Sequence, residues 1–291
     1  MFVITGASGQ LGRLVLQELL RTVPARQIVA AARTPSKLQD FATLGVQVRE
    51  ADYARADTLV TAFAGADRLL LISSSEVGQR AAQHRAAIDA AVQAGVKLIA
   101  YTSILFADTS PLGLAAEHLE TEQMLKASGI PFVLLRNGWY TENYAASVPA
   151  AVQHGALMGS AGQGRIASAA RADYAAAAAA VLTREGQGGL VYELAGDSAY
   201  TLAEFAAEIA HQSGKPVAYA DMPRAQFKAA LIGVGLPDGF AALLADSDAG
   251  AAKGALFDDS RTLSSLIGRP TTPWAKTIAT ALAALTADVK E

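Results

Sequence analysis

The sequence predicts an α/β fold in which helices cover both faces of a doubly wound parallel sheet. Short apolar runs alternate with longer helical patterns from the first residues to beyond residue 130. These runs are apolar throughout, which is typical of strands buried on both faces. Strict alternation of strand and helix implies right-handed crossovers between parallel strands. A glycine-rich turn directly after the first run is the third observation.

The elements follow in chain order from this alternation. Runs rich in Val, Ile, Leu and Ala predict strands at Phe2–Thr5, Ile28–Ala32, Val46–Ala51, Leu69–Ile72, Leu98–Thr102, Phe132–Leu135 and Leu190–Leu194. Apolar residues at helical spacing predict the intervening helices at Leu11–Leu20, Pro35–Leu44, Asp57–Phe63, Arg80–Ala94 and Leu114–Ala127.

The pattern changes after Gly196, which predicts a smaller second domain. A helix, a short strand and a second helix are expected at Thr201–Gln212, Pro216–Ala220 and Arg224–Ile232, followed by a Gly/Pro/Asp-rich passage and helical pieces around Leu263 and Ile278. We expect a nucleotide-binding domain over 1–155, with 185–197 returning to its sheet. Residues 198–291 then form a smaller α/β domain that covers the substrate at the carboxyl ends of the strands.

Composition excludes several classes of function. The 291 residues are 52% hydrophobic and 18% charged, and contain no cysteine, so disulfides and thiolate catalysis are excluded. A net charge of −3 gives no basic surface for nucleic acid. We expect no membrane span, since no apolar run approaches roughly 18 residues. We expect a cytoplasmic protein, because the start lacks a secretory pattern. No His/Asp/Glu spacing indicates a metal site.

The turn after the first strand carries the strongest local pattern. Its residues are Gly6, Ala7, Ser8, Gly9, Gln10, Leu11 and Gly12. The first glycine permits a tight turn, the second lets a pyrophosphate approach the backbone, and the third lets the helix pack closely. The amides and dipole of the helix then hold phosphates. An ordinary glycine-rich turn is the alternative.

Arg33, directly after the second strand, predicts which dinucleotide binds. An acidic residue at this point accepts hydrogen bonds from the ribose of NAD, whereas an arginine pairs with the 2′-phosphate of NADP. The sequence here reads Ala31-Ala32-Arg33-Thr34-Pro35-Ser36-Lys37, and Lys37 offers a second charge. We therefore predict NADP(H). A solvated arginine at a strand end is the alternative.

Two further strand ends carry polar residues. Asp52 follows the third strand, where it either accepts from the adenine amino group or caps the next helix. Ser73, Ser74 and Ser75 follow the fourth strand, and their small side chains either allow the cofactor to approach closely or form a polar turn. Arg171 is a candidate for a cofactor phosphate, and Asp173 for a helix cap.

Several motifs together show a family resemblance. They are TGASGQLG at 5–12, Arg33, ADY at 51–53, LLLISSSEVGQR at 69–80, AYTS at 100–103, GIPFVLLRNGWYTENY at 129–144, SAARADYA at 168–175 and GLPDGFAALLADSDAGAAKGALFDDS at 235–260. With these motifs the chain resembles the NmrA-like atypical short-chain dehydrogenases/reductases over nearly its whole length. The resemblance implies an NADPH site along the carboxyl edge of the sheet. It also implies that the nicotinamide lies beside Asn137, Gly138, Trp139, Tyr140, Thr141 and Glu142.

The chain departs from the wider superfamily at the catalytic positions. A Tyr-x-x-x-Lys pair is expected on the fifth helix, but Leu114 and His118 stand there. Ser103 matches the active-site serine of the superfamily without an identified acid–base partner. The catalytic residues therefore stay unassigned, with His118, Ser103 and Tyr140 as weak candidates. For His118 the alternative is a purely structural histidine.

A strong acceptor tolerates the missing pair. Hydride addition to a quinone gives a stabilised phenolate, so positioning two flat rings together suffices. The aromatic candidates for this platform are Phe106, Trp139, Tyr140, Tyr144 and Phe257.

The resemblance implies an NADPH-dependent reductase of the NAD(P)H:quinone oxidoreductase type, which transfers hydride directly to a quinone. A reductase of another flat electron-poor compound, such as a triphenylmethane dye, and a non-catalytic NADP(H) redox sensor are the alternatives. A homodimer is compatible with the sequence. The natural acceptor, the proton donor and the use of NADH stay open at this point.

Overall fold

The computed structural model of the chain describes residues 1–288. Over these residues it contains nine strands and thirteen α-helices, which fall into two compact units. Residues 289–291, which belong to the predicted domain 198–291, lie outside the described part.

The first unit comprises residues 1–108, 114–137 and 171–194 and holds a seven-stranded sheet. The strands are β1 (Phe2–Ile4), β2 (Ile28–Ala32), β3 (Gln47–Glu50), β4 (Arg68–Leu71), β5 (Leu98–Ile104), β6 (Phe132–Asn137) and β8 (Val191–Leu194). Their order is β3-β2-β1-β4-β5-β6-β8, and every pair is parallel. The predicted doubly wound α/β fold is confirmed.

Helices cover both faces of this sheet. They are α1 (Gln10–Leu20), α2 (Gln39–Thr43), α3 (Ala56–Phe63), α4 (Arg80–Ala94), α5 (Ala115–Ala127) and α8 (Arg171–Thr183). Leu59, Ile88 and Leu125 from α3, α4 and α5 pack on Leu69 and Ile99 of the sheet. α1 and α8 pack together, and α8 also contacts β4 and β5. The edge strands β3 and β8 are only partly buried, which explains their more polar sequences.

The sheet reverses its strand order between β1 and β4. Chain segments leaving these two strands turn in opposite directions, which opens a crevice at their carboxyl ends. The glycine-rich turn follows β1 at this point and the serine run follows β4. The topology therefore brings two of the predicted site segments to one edge of the sheet.

The second unit comprises residues 109–113 and 138–170 and the chain from residue 195. Its elements are α6 (Thr141–Ala145), α7 (Val148–His154), β7 (Ala156–Gly159), α9 (Leu202–Ser213), β9 (Ala218–Asp221), α10 (Arg224–Gly233), α11 (Asp238–Ala251), α12 (Thr262–Ile267) and α13 (Trp274–Asp288). β7 and β9 form a separate parallel pair. A capping box between Thr201 and Glu204 begins α9.

The two units divide the chain differently from the boundaries read from the sequence. Residues 138–155, predicted within the nucleotide-binding domain, lie in the second unit because α6 and α7 pack on α13 and α7 also packs on α9. Residues 171–184, not assigned to the sheet domain, belong to the first unit because α8 packs on α1. That 198–291 cover the substrate stays a prediction. No described helix is long and apolar enough to span a bilayer.

Candidate active site

The glycine-rich turn leaves β1 with a backbone conformation that favours glycine at its first position. Gly6 has φ +58°, in the left-handed region that favours glycine. The Ala7 amide then donates to the Ala31 carbonyl of β2 at 3.1 Å, and the Gly9 amide donates back to the Gly6 carbonyl at 2.9 Å. α1 begins directly afterwards with no side-chain cap and no acidic residue in its first turn. Its first amides are therefore available to an anion.

The other two glycines of the turn have different roles. A Cβ at Gly12 would lie 2.4 Å from the Gly6 carbonyl oxygen and 2.7 Å from the Ala7 Cα. Gly12 is thus required for α1 to pack against the turn. A Cβ at Gly9 would meet only the Gly6 carbonyl oxygen, at 3.2 Å, and its φ of −77° is open to any residue. The fold therefore requires glycine at this position less strictly than at Gly12, where the contact is far shorter.

A cleft of about 280 Å³ opens beside this turn within the first unit. The predicted residues that line it are Gly6, Ser8, Gly9, Arg33, Lys37, Asp52, Ser73, Ser74 and Ser75. Tyr53 also lines it, and its hydroxyl donates to the Ile72 carbonyl at 2.7 Å and contacts the Thr5 hydroxyl. Burial raises the pKa of Tyr53, so the phenol stays neutral. This network ties the ends of β1 and β4 together.

Arg33 and Asp52 stand on two walls of the cleft. The Arg33 side chain is 65% exposed and its Nη1 pairs with Glu76 Oε1 at 2.6 Å. Asp52 Oδ1 accepts from the Ala54 amide at 3.0 Å and so closes a turn ahead of α3. The residue that immediately precedes α3 is Arg55, so the predicted helix-capping role of Asp52 is wrong. The adenine contact stays a prediction.

The serine run is a tightly held loop and not a simple polar turn. The Ser73 amide donates to Thr102 Oγ1 at 2.9 Å, and the Ser74 amide donates to His84 Nε2 at 2.9 Å. Ser74 Oγ also donates to the Gln83 amide oxygen. These bonds fix the loop after β4 to β5 and α4, which keeps one wall of the cleft in place.

His84 is fully buried and structural. Because Nε2 accepts from the Ser74 amide, Nδ1 carries the proton and donates to Thr121 Oγ1 at 2.9 Å. Burial, helped by the charge of Arg80, lowers the pKa of His84 to about 3. Arg80 in turn donates to the Ser74 carbonyl and pairs with Glu117. His84 is therefore neutral at physiological pH.

His118 lies on α5 and is also buried. Its Nδ1 is 2.7 Å from the Tyr101 hydroxyl of β5. Burial, helped by the charge of Arg80, lowers the pKa of His118 to about 3. An imidazole with this pKa is uncharged at neutral pH, so His118 does not act there as an imidazolium acid. Leu114, at the other expected catalytic position, immediately precedes α5.

Ser103 belongs to a buried ionic cluster at the ends of β5, β6 and β8. Its Oγ donates to Glu122 Oε1 at 2.6 Å. Arg136 binds the fully buried Glu122 with Nε at 2.9 Å and Nη2 at 2.7 Å, and it also pairs with Glu193 and Asp108. The hydroxyl proton of Ser103 is thus engaged in a hydrogen bond within the protein. This geometry indicates a structural role for Ser103.

Glu193 also fixes the neighbouring loop. Its Oε2 accepts from the Phe106 amide at 2.9 Å, and Phe106 has φ +53°, a value that non-glycine residues seldom adopt. Burial raises the pKa of Glu193, although its bonds to Phe106 and Arg136 oppose the shift. The loop after β5 is therefore held in a strained conformation by a partly buried carboxylate.

The predicted nicotinamide segment begins at the carboxyl end of β6. Asn137 is 6% exposed, and its Oδ1 is buried without a hydrogen-bond partner among the described residues. A buried, unpaired acceptor of this kind is costly unless a ligand supplies a donor. The carboxamide of a nicotinamide ring carries such a donor. Arg171 begins α8 in the same unit, and Asp173 lies inside the first turn of that helix.

The rest of the segment belongs to the second unit. Gly138, Trp139 and Tyr140 are half-buried, and Tyr140 immediately precedes α6. Thr141 is fully buried with its hydroxyl 2.8 Å from that of Ser168. Glu142 follows in the first turn of α6.

Of the aromatic candidates in the second unit, Tyr144 lies in the core, whereas Trp139, Tyr140 and Phe257 are partly buried. Trp139 lies 6.2 Å from Tyr144 between ring centroids, and Tyr144 lies 6.1 Å from Phe205. The Tyr144 hydroxyl donates to Asp248 Oδ1 at 2.9 Å. Burial raises the pKa of Asp248 to about 6. Phe257 instead contacts the Arg165 guanidinium at 5.5 Å.

Sequence reasoning missed the residues that organise the site. Glu76, Gln83, Arg80 and Glu117 hold the loop after β4, and Glu122 with Arg136 holds the loop after β5. Glu76, Arg80 and Arg136 lie within motifs quoted for the family resemblance, but no role was predicted for them. Within residues 1–288 the structure has no group of three His, Asp or Glu side chains placed to hold a metal ion.

Known proteins match this arrangement. A family model described as NAD(P)H-binding matches residues 6–185. The chain belongs to this NAD(P)H-binding family. It is 63% identical to quinone oxidoreductase 2 of Escherichia coli (strain K12), with 96% of this chain and 97% of that protein aligned. The family resemblance read from the motifs is confirmed.

Solved structures agree with this relationship. The NADPH-dependent quinone oxidoreductase QOR2 of Escherichia coli, complexed with NADPH, matches this NAD(P)H-binding protein with a TM-score of 0.95 and 62% identity, covering 97% of this chain and 100% of that one. The triphenylmethane reductase of Citrobacter sp., complexed with NADP(H), matches with a TM-score of 0.92 and 38% identity, covering 97% and 100%.

Proposed function

We propose that this protein is an NADPH-dependent reductase that transfers hydride directly to a quinone. The observation that carries the proposal is the cleft at the switch point of the sheet. There the glycine-rich turn, which leads into the uncapped start of α1, lines one cavity together with Arg33. The 63% identity to a quinone oxidoreductase over nearly the whole chain supports the choice of acceptor.

Each part of the dinucleotide has a matching group in the first unit. The turn at Gly6–Gly12 receives the pyrophosphate on the amides of α1. Arg33 pairs with the 2′-phosphate, and Lys37, which also lines the cleft, adds positive charge. The buried Oδ1 of Asn137 accepts from the nicotinamide carboxamide. Ser73 to Ser75 form a narrow wall that lets the cofactor approach the backbone.

The chemistry needs little acid–base help from the protein. NADPH, when bound, supplies the hydride, and the quinone takes it up together with one proton to give the hydroquinone. Ser103 donates its hydroxyl hydrogen bond to Glu122. His118 is neutral because burial lowers its pKa to about 3. The residues therefore bind and orient the two reactants, and water supplies the proton. Orientation alone accounts for large rate gains with a strong electron acceptor.

A second acceptor class is supported by a specific match. The fold matches a triphenylmethane reductase with a TM-score of 0.92. A triphenylmethane dye is a cation that takes up hydride and no proton, so the same site without a general acid suits it. A non-catalytic NADP(H) sensor remains the alternative from another class, since Leu114 and His118 replace the superfamily's catalytic pair.

The test follows NADPH absorbance with a saturating water-soluble quinone, with NADH and with no acceptor as controls. Wild-type protein should oxidise NADPH only when the quinone is present, and faster than NADH. Gly9→Val should abolish this turnover, because its branched side chain occupies the surface that receives the pyrophosphate. Gly239→Val is the matched control, since Gly239 is exposed and a Cβ there meets nothing within 4 Å.

Three outcomes separate the candidates. Loss of turnover in Gly9→Val but not in Gly239→Val supports the reductase. Tight NADPH binding without turnover of any quinone or cationic dye would replace it with the sensor. Equal turnover in Gly9→Val and wild type would refute the role of the glycine-rich turn.

A further inference from the structure

An ion pair joins two loops that line the cofactor cleft. Arg33 follows β2 and Glu76 follows β4, and both line the cavity. Their contact, Nη1 to Oε1 at 2.6 Å, occupies the guanidinium that is proposed to hold the 2′-phosphate. The ligand must therefore compete with a carboxylate of the protein for Arg33.

Glu76 is the fixed member of this pair. Its Oε2 accepts from Gln83 Nε2 at 2.7 Å, and its amide donates to Ser74 Oγ at 3.1 Å. Ser74 Oγ donates in turn to Gln83, which closes a ring of three hydrogen-bonded residues. Among residues 1–288, the Arg33 side chain bonds only to Glu76, and it is 65% exposed. When a ligand arrives, Arg33 is free to turn toward it while Glu76 stays.

The charges of the cleft are balanced although its ligand is strongly negative. Arg33 and Lys37 supply two positive charges to the lining, and Asp52 and Glu76 supply two negative charges. A phosphate bound at Arg33 thus meets a nearby carboxylate held by hydrogen bonds. Like charges at this separation reduce affinity, and salt screens the effect.

We propose that Glu76 sets the choice between NADPH and NADH. It competes with the 2′-phosphate of NADPH for Arg33, and it accepts a hydrogen bond from the ribose 2′-hydroxyl of NADH. This inference rests on the proposed function, because it needs a nicotinamide dinucleotide in the cleft. Dinucleotide-binding folds of this type use an arginine for the 2′-phosphate of NADP or a carboxylate for the 2′-hydroxyl of NAD. With Arg33 and Glu76, this chain has both groups.

The geometry explains why one carboxylate affects the two cofactors in opposite directions. Glu76 Oε1 lies within hydrogen-bond distance of Arg33, so it is close to wherever the 2′-substituent meets that guanidinium. A hydroxyl there has a proton to donate to the carboxylate. A phosphate at neutral pH has mainly negative oxygens to present and is repelled.

The test measures dissociation constants of NADPH and NADH by titration of nicotinamide fluorescence, with no acceptor present. Glu76→Gln keeps the shape and an acceptor for Gln83 but removes the charge. NADPH should bind about tenfold more tightly to this variant, which corresponds to about 1.4 kcal/mol. NADH should bind about fivefold more weakly, because a charge-assisted hydrogen bond becomes a neutral one. The NADPH gain should shrink in concentrated salt.

Two variants complete the design. Glu76→Asp keeps the charge and should stay within about twofold of wild type for NADPH. Glu18→Gln removes a carboxylate that pairs with Arg21 outside the cleft lining, and it should change neither affinity. Parallel calorimetric titrations with adenosine 2′,5′-bisphosphate and with AMP, which carry no nicotinamide, restrict the readout to the adenosine half of the cleft.

The outcomes distinguish this inference from the proposed function. Opposite shifts for NADPH and NADH in Glu76→Gln support it. Equal shifts, or weaker NADPH binding in Glu76→Gln, would overturn it while leaving the proposed function intact. If neither dinucleotide bound to wild-type protein or to Glu18→Gln, the proposed function would fail, and this inference with it.

Discussion

The neutral state of His84 predicts how the first unit responds to acid. The unfolded histidine has a pKa of about 6.5, and burial lowers the folded value to about 3. Between these two pKa values, His84 is therefore unprotonated in the folded protein and protonated in the unfolded chain. The stability that this histidine contributes is complete above about pH 6.5 and is lost as pH falls toward about 3.

The magnitude follows from the width of that window. Within it, each pH unit costs about 1.4 kcal/mol per histidine, so acidification from about pH 7.5 to about pH 4.5 removes about 3 kcal/mol through His84 alone. The geometry gives the reason. Nε2 accepts a hydrogen bond from the Ser74 amide. Protonation of Nε2 places its new N–H opposite the Ser74 N–H, and this breaks the bond that holds the serine loop.

The assay compares wild type with His84→Gln, whose amide can accept from Ser74 without titrating. Denaturant unfolding at the two pH values gives the difference, and amide exchange at Ser74 reports the local opening. His211→Gln removes an imidazole that is 81% exposed and serves as the matched control. The wild type should lose about 3 kcal/mol more on acidification than His84→Gln does. An identical acid response in the two proteins would refute the assignment.

Three further substitutions test other parts of the site. Gly12→Ala should cost about 1–3 kcal/mol of stability and weaken NADPH binding, because its Cβ meets backbone at 2.4 Å, whereas Gly239→Ala should be neutral in a thermal melt. Arg136→Met should cost about 3–5 kcal/mol by leaving Glu122 unpaired, and adding Glu122→Leu should restore most of that in urea unfolding. His118→Gln should keep quinone kcat within about threefold, and a loss of about a hundredfold or more would make it the acid.

The fold was predictable where the pattern is local and repeated. All seven strands of the sheet were recognised as apolar runs, because a parallel sheet covered on both faces requires apolar residues throughout. α11 was missed entirely. Its buried face includes Ser247, Asp248 and Gly250, which conceal the apolar period. β7 was missed because its only partner, β9, is remote in sequence.

Site residues were predictable where a single residue type at one place in the fold indicates its function. They were not predictable where the function depends on a partner that is distant in sequence. The glycine turn and Arg33 follow from the backbone and charge that a dinucleotide needs. Glu76 meets Arg33 across 43 positions, and Ser103 meets Glu122 across 19, so no spacing rule reveals either pair. The helix-capping role of Asp52 was wrong because the chain makes a further turn before α3 begins.

The polar residues near the ends of β4 and β5 explain how a reductase can work without the catalytic pair of its superfamily. Thr121 accepts from His84, and it donates to the Glu117 carbonyl one turn earlier in α5. Glu117 also accepts from the Gly78 amide. The superfamily carries its general acid on α5. In this protein, side chains of α5 instead hold the loop after β4 in place. Such rigidity helps an acceptor that needs only correct placement, and it would help little with an alcohol or ketone that needs a proton donor. We therefore expect the enzyme to discriminate among acceptors by their electron affinity and ring shape.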